Sequence, residues 1–313
     1  MRTSSNQADR SNHSLPDREG GGTVLYGLLG YPLGHSFSRT FFLDKFAREG
    51  IDADYLNFEL PSADMLLQVI GEHPNLCGLN VTLPHKQAVI PLLDELSDEA
   101  RAIGAVNVIR ITRKQPVATT ILSTTGQEVS TTTTGHEVLP PTGGVREGLY
   151  LKGFNSDIIG FTESIQPLLQ PHHKRALVLG TGGASKAVCR GLEKLGIQWH
   201  YVSRKHPEKL PSLTGEGTGE KSFTYSDVTP SLLADYTVIV NCTPLGMYPN
   251  IDSAPTLPYA ALSPRHLLYD LVYNPEVTEF MRQGRRFGAT VKGGLEMLHR
   301  QAVASWEFWN SMD

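Results

Sequence analysis

Asn80-Val-Thr-Leu-Pro-His-Lys86 puts an amide, a hydroxyl and an ammonium into one short stretch. Leu76 to Thr82 reads as a strand, on which Asn80 and Thr82, two apart, share a face. Pro84 closes that strand, and Lys86 opens the next segment, read as a helix over 86–93. Three polar groups then converge at a strand end, where open α/β sheets bind ligands. The same residues would equally suit a turn that only satisfies its own backbone. Gly34-His-Ser-Phe-Ser38 is a second cluster at a strand-to-helix junction. Ser36 and Ser38 there either hold a carboxylate, with help from backbone N–H groups, or cap the helix. Gly104-Ala-Val-Asn107 and Asn155-Ser-Asp157 add an amide and a carboxylate; Asp157 also fits a plain first-turn helix acid.

Gly180-Thr-Gly-Gly-Ala-Ser185 lies between the apolar run Arg175–Leu179 and the helical pattern Lys186–Leu195. Strand, glycine turn and helix in that order let the backbone approach a pyrophosphate, whose charge meets the open N–H groups of the helix. The next strand ends Tyr201-Val-Ser-Arg-Lys205, with no acid before Glu208. NAD enzymes place an acid there for the ribose hydroxyls, whereas a guanidinium meets a 2′-phosphate. Ser203, Arg204 and Lys205 therefore favour NADP, the alternative being solvated loop charges. Asn241-Cys-Thr-Pro-Leu-Gly-Met247 follows an apolar strand, in a position to pass its turn, with Thr243, beneath a nicotinamide.

These groups need strands and helices in alternation to position them. Strands are expected at 24–30, 55–60, 76–82, 176–180, 199–203, 237–242, 266–272 and 289–292. Helices are expected at 38–48, 63–70, 86–93, 98–103, 158–169, after the glycine turn, and at 230–234, 278–287 and 295–309. The alternation predicts an α/β fold: an N-terminal substrate domain with a mostly parallel twisted sheet, and a Rossmann-like NADP-binding domain. We read 1–22 as a disordered polar tail and 23–156 plus 295–313 as the substrate-binding catalytic domain, the last helix returning to it. The NADP-binding domain covers 157–294. Residues 112–147 break the pattern with Thr, Ser, Gly and Pro, and read as an elaborated hairpin or surface loop; 206–221 reads as a second polar loop.

The chain of 313 residues, 40% hydrophobic, is long enough for two cores. A net charge of −4 without like-charge blocks argues against nucleic acid as a partner. Cys77, Cys189 and Cys242 are far apart, fit no metal spacing, and read as free thiols of a reducing compartment. No secretory h-region and no apolar run of about 20 residues is present. The expectation is a soluble cytoplasmic protein with a small-molecule substrate; its oligomeric state is not readable.

Taken together, His35-Ser-Phe-Ser38, Asn80-Val-Thr-Leu-Pro-His-Lys86, Gly104-Ala-Val-Asn107, Asn155-Ser-Asp157, Gly180-Thr-Gly-Gly-Ala184, Asn241-Cys-Thr243 and Gly293-Gly-Leu-Glu-Met-Leu-His-Arg-Gln301 occur in an order that resembles the shikimate dehydrogenase family across roughly 24–310. The resemblance implies reduction of 3-dehydroshikimate to shikimate with NADPH, a step toward aromatic amino acids. It implies Lys86 and Asp157 as catalytic pair. Ser36 and Ser38 would hold the carboxylate, with Tyr273 near it, and Asn80, Thr82, Asn107 and Gln301 the ring hydroxyls. Gly180, Thr181, Gly182, Gly183, Ala184, Ser203, Arg204, Lys205, Leu271 and Gly294 match cofactor positions, and Asp98 a peripheral one. Arg39 stands where the family usually has Pro, Ser156 where Thr is usual, and Ser-Arg-Lys where Asn-Arg-Thr is usual.

The nearest alternative is a quinate/shikimate dehydrogenase that uses NAD or both cofactors; Arg204 speaks against it. A dinucleotide-sensing regulatory module would not need Lys86, Asp157, Ser36, Ser38 and Gln301 together. A methyltransferase would want an acid at Arg204, and paired serines do not suit the pterin of a methylenetetrahydrofolate dehydrogenase.

Overall fold

The computed structural model describes residues 23–33, 37–113, 120–122, 128–130, 148–205 and 222–311. The tail 1–22, Ser36, most of 114–147, and 206–221 lie outside them. In the first half run β1 (Val24–Gly30), α1 (Phe37–Glu49), β2 (Ala53–Glu59), α2 (Leu66–Glu72), β3 (Leu76–Val81), β4 (Glu95–Leu96), α3 (Asp98–Ile103), β5 (Val108–Arg113), β6 (Thr120–Leu122), β7 (Glu128–Ser130) and β8 (Leu149–Phe154). In the second half run α4 (Asp157–Ile165), β9 (Arg175–Leu179), α5 (Gly183–Lys194), β10 (Gln198–Ser203), β11 (Phe223–Thr224), α6 (Pro230–Asp235), β12 (Val238–Asn241), β13 (Leu267–Asp270), α7 (Glu279–Arg286), β14 (Thr290–Lys292) and α8 (Leu295–Asn310).

The first sheet has the order β2-β1-β3-β5-β8-β4. β1 pairs in parallel with β2 and β3, and β5 runs antiparallel to both β3 and β8. The ends of β1, β3 and β8 and the start of β5 therefore meet at one edge. Period-two alternation sends Leu25 and Leu29 of β1 to one face and Tyr26 and Leu28 to the other. The first face packs on Leu66, Val69 and Ile70 of α2. The second packs on Phe42 and Phe46 of α1 and on Ala302, Trp306 and Trp309 of α8.

The second sheet, β11-β10-β9-β12-β13-β14, is parallel throughout. Numbered from β9, its order is the 3-2-1-4-5-6 of a doubly wound nucleotide fold, with the strand order reversing between β9 and β12. Both faces are covered, which is why its strands are continuous apolar runs rather than alternating ones. Helix α4 leaves the first sheet after β8 and packs on α5 and α8. It crosses α8 at Gly160, where a Cβ would stand 2.5 Å from Met297 O and 3.2 Å from Gln301 Cβ. Trp309, at the far end of α8, donates from Nε1 to Ile109 O at 3.1 Å.

Two features depart from the sequence reading. Residues 86–93 form turns with a short 3-10 segment, Ile90–Leu92, rather than a helix. Val106 N donates to Lys86 O at 2.7 Å, and Pro91 has no N–H to continue a ladder. Strands β4, β5, β8 and β11 are not among the expected ones; β5 alone runs antiparallel to its neighbours, within a first sheet whose other pairings are parallel, as expected. The short β6–β7 ladder is antiparallel, as a hairpin within the 112–147 stretch requires. Among the described residues no helix is long and apolar enough to cross a membrane.

Candidate active site

Lys86 Nζ stands 2.6 Å from Asp157 Oδ2, with both side chains largely buried. Lys86 follows the end of β3. Its segment is pinned to the loop before β5 by Val106 N, while Val81 N donates to Asn107 O and Asn107 N to Phe154 O. Asp157 opens α4 just beyond β8, so the two charges reach one edge of the sheet from strands that are not neighbours. Asn107 fixes the carboxylate from the other side: Nδ2 donates to Asp157 Oδ1 at 2.8 Å and to Ser156 Oγ at 3.1 Å, and Oδ1 accepts from Ser156 N at 2.7 Å. Asn155 Oδ1 accepts from Asp157 N at 3.1 Å, and its Nδ2 donates to Ala105 O at 2.9 Å. Asn107, implied as a contact to ring hydroxyls, is here turned to Asp157 and Ser156.

Asn80 lies at the end of β3. Its Oδ1 accepts from Tyr55 OH at 2.9 Å, and its Nδ2 donates to Ser305 Oγ at 2.9 Å. Burial pushes the Tyr55 phenol well above its usual 10.0, against a weaker opposing bond from Ser38, so this hydroxyl stays a donor. Ser38, in the first turn of α1, thus joins the same network. Arg39, in the place of the usual Pro, ties α1 to β2 by donating from Nε to Tyr55 O at 3.2 Å. Thr82 sits just past β3, its N bonded to Leu29 O at 2.8 Å. Gln301, half-buried on α8, accepts from Ser305 Oγ at its backbone O at 2.8 Å, one turn before Ser305. Tyr273, beyond β13, is 38% exposed, with its ring 6.3 Å from that of Phe37 in α1. That contact spans the two sheets.

The second sheet places its own residues at the reversal point. Gly180 has φ +96, which favours glycine, and a Cβ there would lie 3.0 Å from Thr243 Cγ2. Among the described residues nothing lies within 4 Å of where Cβ atoms would stand on Gly182 and Gly183, and no side chain caps α5. Thr181 and Ala184 flank them. Arg204 and Lys205 are exposed at the end of β10, where Ser203 Oγ donates to Lys205 O. An open helix terminus beside a guanidinium and an ammonium fits a dinucleotide carrying an extra phosphate. Leu271 and Gly294 touch where the chain enters α8, with Gly294 N donating to Val272 O at 3.2 Å. Asp98 is exposed in the first turn of α3. Its neighbour Glu99 pairs with Arg190 at 3.4 Å and with Lys194, toward the far end of α5.

Two supports were not singled out from sequence. Asp270, fully buried at the end of β13, accepts from Asn241 Nδ2 at 2.9 Å, Val272 N at 3.0 Å and Thr278 Oγ1 at 2.6 Å. Asn241 Oδ1 in turn accepts from Thr243 Oγ1 at 2.6 Å, which shapes the turn beside Gly180. Burial raises the Asp270 carboxyl to about 6, against the pull of these donors. Its place after an apolar strand was a usable signal. Ser305, in the middle of a helix, offered none.

A carboxylate-anchored ammonium at the edge of one sheet, with an uncapped glycine turn at the reversal point of a second, doubly wound sheet, is the arrangement of a two-lobed nucleotide-dependent oxidoreductase. The model of the shikimate dehydrogenase substrate binding domain matches residues 28–109. The chain is 32% identical over 302 residues to the shikimate dehydrogenase (NADP(+)) of Desulforamulus reducens, covering 93% of this chain and 91% of that protein. It is 33% identical over 307 residues to the enzyme of the same name from Trichormus variabilis, covering 94% and 93%. The shikimate 5-dehydrogenase of Thermus thermophilus, solved in complex with NADP(H) and shikimate, superposes with a TM-score of 0.69 at 28% identity, over 91% of this chain and 93% of that one. The chain belongs to the shikimate dehydrogenase family.

Proposed function

We propose that this chain reversibly reduces 3-dehydroshikimate to shikimate with NADPH, a step toward aromatic amino acids. The observation that carries this reading is the 2.6 Å Lys86–Asp157 contact at the edge where β1, β3, β5 and β8 converge. In this reading 23–156 with 295–313 hold the substrate, and 157–294 hold the cofactor on Gly180–Ala184, Ser203–Lys205, Thr243, Leu271 and Gly294. Bound NADPH supplies the hydride. As the ketone accepts it, negative charge grows on the ketone oxygen, and Lys86 Nζ holds that charge and delivers a proton. Lysine has three N–H donors and no acceptor. Asp157 takes one, which aims the ammonium and leaves the others for the substrate. Ser36 and Ser38 take the substrate carboxylate, with Tyr273 beside it; Asn80, Thr82 and Gln301 line the ring. Free thiols at Cys77, Cys189 and Cys242 fit a cytoplasmic setting.

The test is oxidation of shikimate or quinate with NADP or NAD, in all four combinations. Shikimate with NADP should give the highest kcat/KM. A preference for NAD would favour the quinate/shikimate alternative, and no shikimate oxidation with either cofactor would overturn the proposal.

A further inference from the structure

We infer that Ser305 is a positioning residue for substrate recognition: it locks the Asn80 amide so that only the carbonyl oxygen remains to meet the substrate. This rests on the function proposed above.

Ser305 is fully buried on α8. Its hydroxyl has one proton, spent on Gln301 O at 2.8 Å, one turn back. Its oxygen is then purely an acceptor for its other two neighbours, Asn80 Nδ2 at 2.9 Å and Ser156 Oγ at 3.2 Å. Asn107 O, also an acceptor, lies 3.5 Å from the same Asn80 nitrogen. Two acceptors on one side and a Tyr55 donor on the other admit a single orientation of the amide. Both N–H directions of Asn80 point to protein acceptors, and Oδ1 keeps one lone pair beyond Tyr55.

The chemical consequence is a polarity code for the ring. At Asn80 the site accepts, so a substrate hydroxyl there must donate. At Lys86 the site only donates, so a carbonyl oxygen fits there. A ring turned to present its ketone to Asn80 would set acceptor against acceptor and leave a buried group unpaired, the situation in which hydrogen-bonding sites discriminate most strongly. Ser305 enforces this without touching substrate. Through Ser156 the same hydroxyl also steadies Asn107, and thereby the Asp157 carboxylate.

The test compares Ser305→Ala and Ser305→Cys with wild type. Cysteine keeps the shape, is slightly larger, and is a weak acceptor. In both variants KM for shikimate should rise about tenfold, with kcat within about threefold and KM for NADP unchanged. Hydrogen exchange of the Asn80 side-chain amide, followed by NMR without any ligand, should be slow in wild type and at least tenfold faster in the variants. Slow exchange and wild-type KM in both variants, with only a lowered Tm, would make Ser305 a packing residue and overturn the inference. If the wild-type protein did not oxidise shikimate, the functional reading would fall; the exchange comparison needs no substrate and still decides the role of Ser305. Should Ser305→Ala not fold, Ser305→Cys carries both measurements.

Discussion

Lys86 and Asp157, 71 residues apart in the chain, meet with Nζ and Oδ2 separated by 2.6 Å. Neither group is held by the other alone. Lys86 is on a turn whose carbonyl is claimed by Val106, and Asp157 is gripped by Asn107 and by its own first helical turn. Removing the ammonium should therefore remove chemistry more than binding. Lys86→Ala should lower kcat for shikimate oxidation by about 10²-fold or more, with a smaller change in KM. Steady-state kinetics checks this, and a retained kcat would reduce Lys86 to a binding residue. Asp157→Asn should lower kcat by a smaller factor, because Lys86 stays but loses its anchor.

In the proposed function Arg204 carries the choice of cofactor. It stands exposed at the end of β10, and no carboxylate stands with it at 203–205. Arg204→Ala should raise KM for NADP about tenfold or more and leave KM for NAD nearly unchanged. Equal losses with both cofactors would mean that Arg204 does not read the 2′-phosphate.

Asp270 sets a pH signature on stability. Burial lifts its carboxyl from 3.8 to about 6 in the folded chain. The folded state then holds more protons than the unfolded chain between these values. This contribution is fully present below about pH 4 and is lost as pH rises through about 6, by up to about 3 kcal/mol. Asp270→Asn removes the charge and keeps the size. Unfolding free energies at pH 4 and pH 7 should fall more for wild type than for the variant, and parallel profiles would refute the assignment.

Gly160 lets α4, which opens with Asp157, cross close to the turn of α8 that carries Gln301. An alanine Cβ would meet the Met297 carbonyl at 2.5 Å, so the helices must part. Gly160→Ala should cost about 1–3 kcal/mol despite the better helix propensity of alanine, and should raise KM for shikimate through the displaced Gln301. Thermal unfolding and kinetics check the two effects separately; an unchanged Tm would show that the crossing has slack.

Much of this site was written in short motifs, because Asn80, Thr82 and Lys86 lie within one strand end, and Gly180–Ala184 within one turn. The glycine-turn helix and β1 were equally plain, the first from its apolar spacing and the second from an unbroken apolar run. What stayed hidden depends on distant partners. The helix expected at 86–93 gave way because Val106, far along the chain, captured the Lys86 carbonyl. Strands β5 and β8 are legible only as a pair, and each borders the Thr-rich stretch that masks it. Ser305 carries no local signal, since its bonds to Asn80 and Ser156 exist only once α8 has folded back over the first sheet. Asp270 is an intermediate case: its place at the end of an apolar strand is visible in the sequence, but the burial that raises its carboxyl is not.

The β5–β8 ladder separates two functions of one hairpin by its length. Val108 pairs with Phe154 next to the chemistry, while Arg113 pairs with Leu149 at the opposite end, about 17 Å away. The chain between Arg113 and Leu149 leaves from that remote end. It is a natural splice point: a fluorescent domain grafted there would report on the enzyme from behind, and turnover should not register its presence.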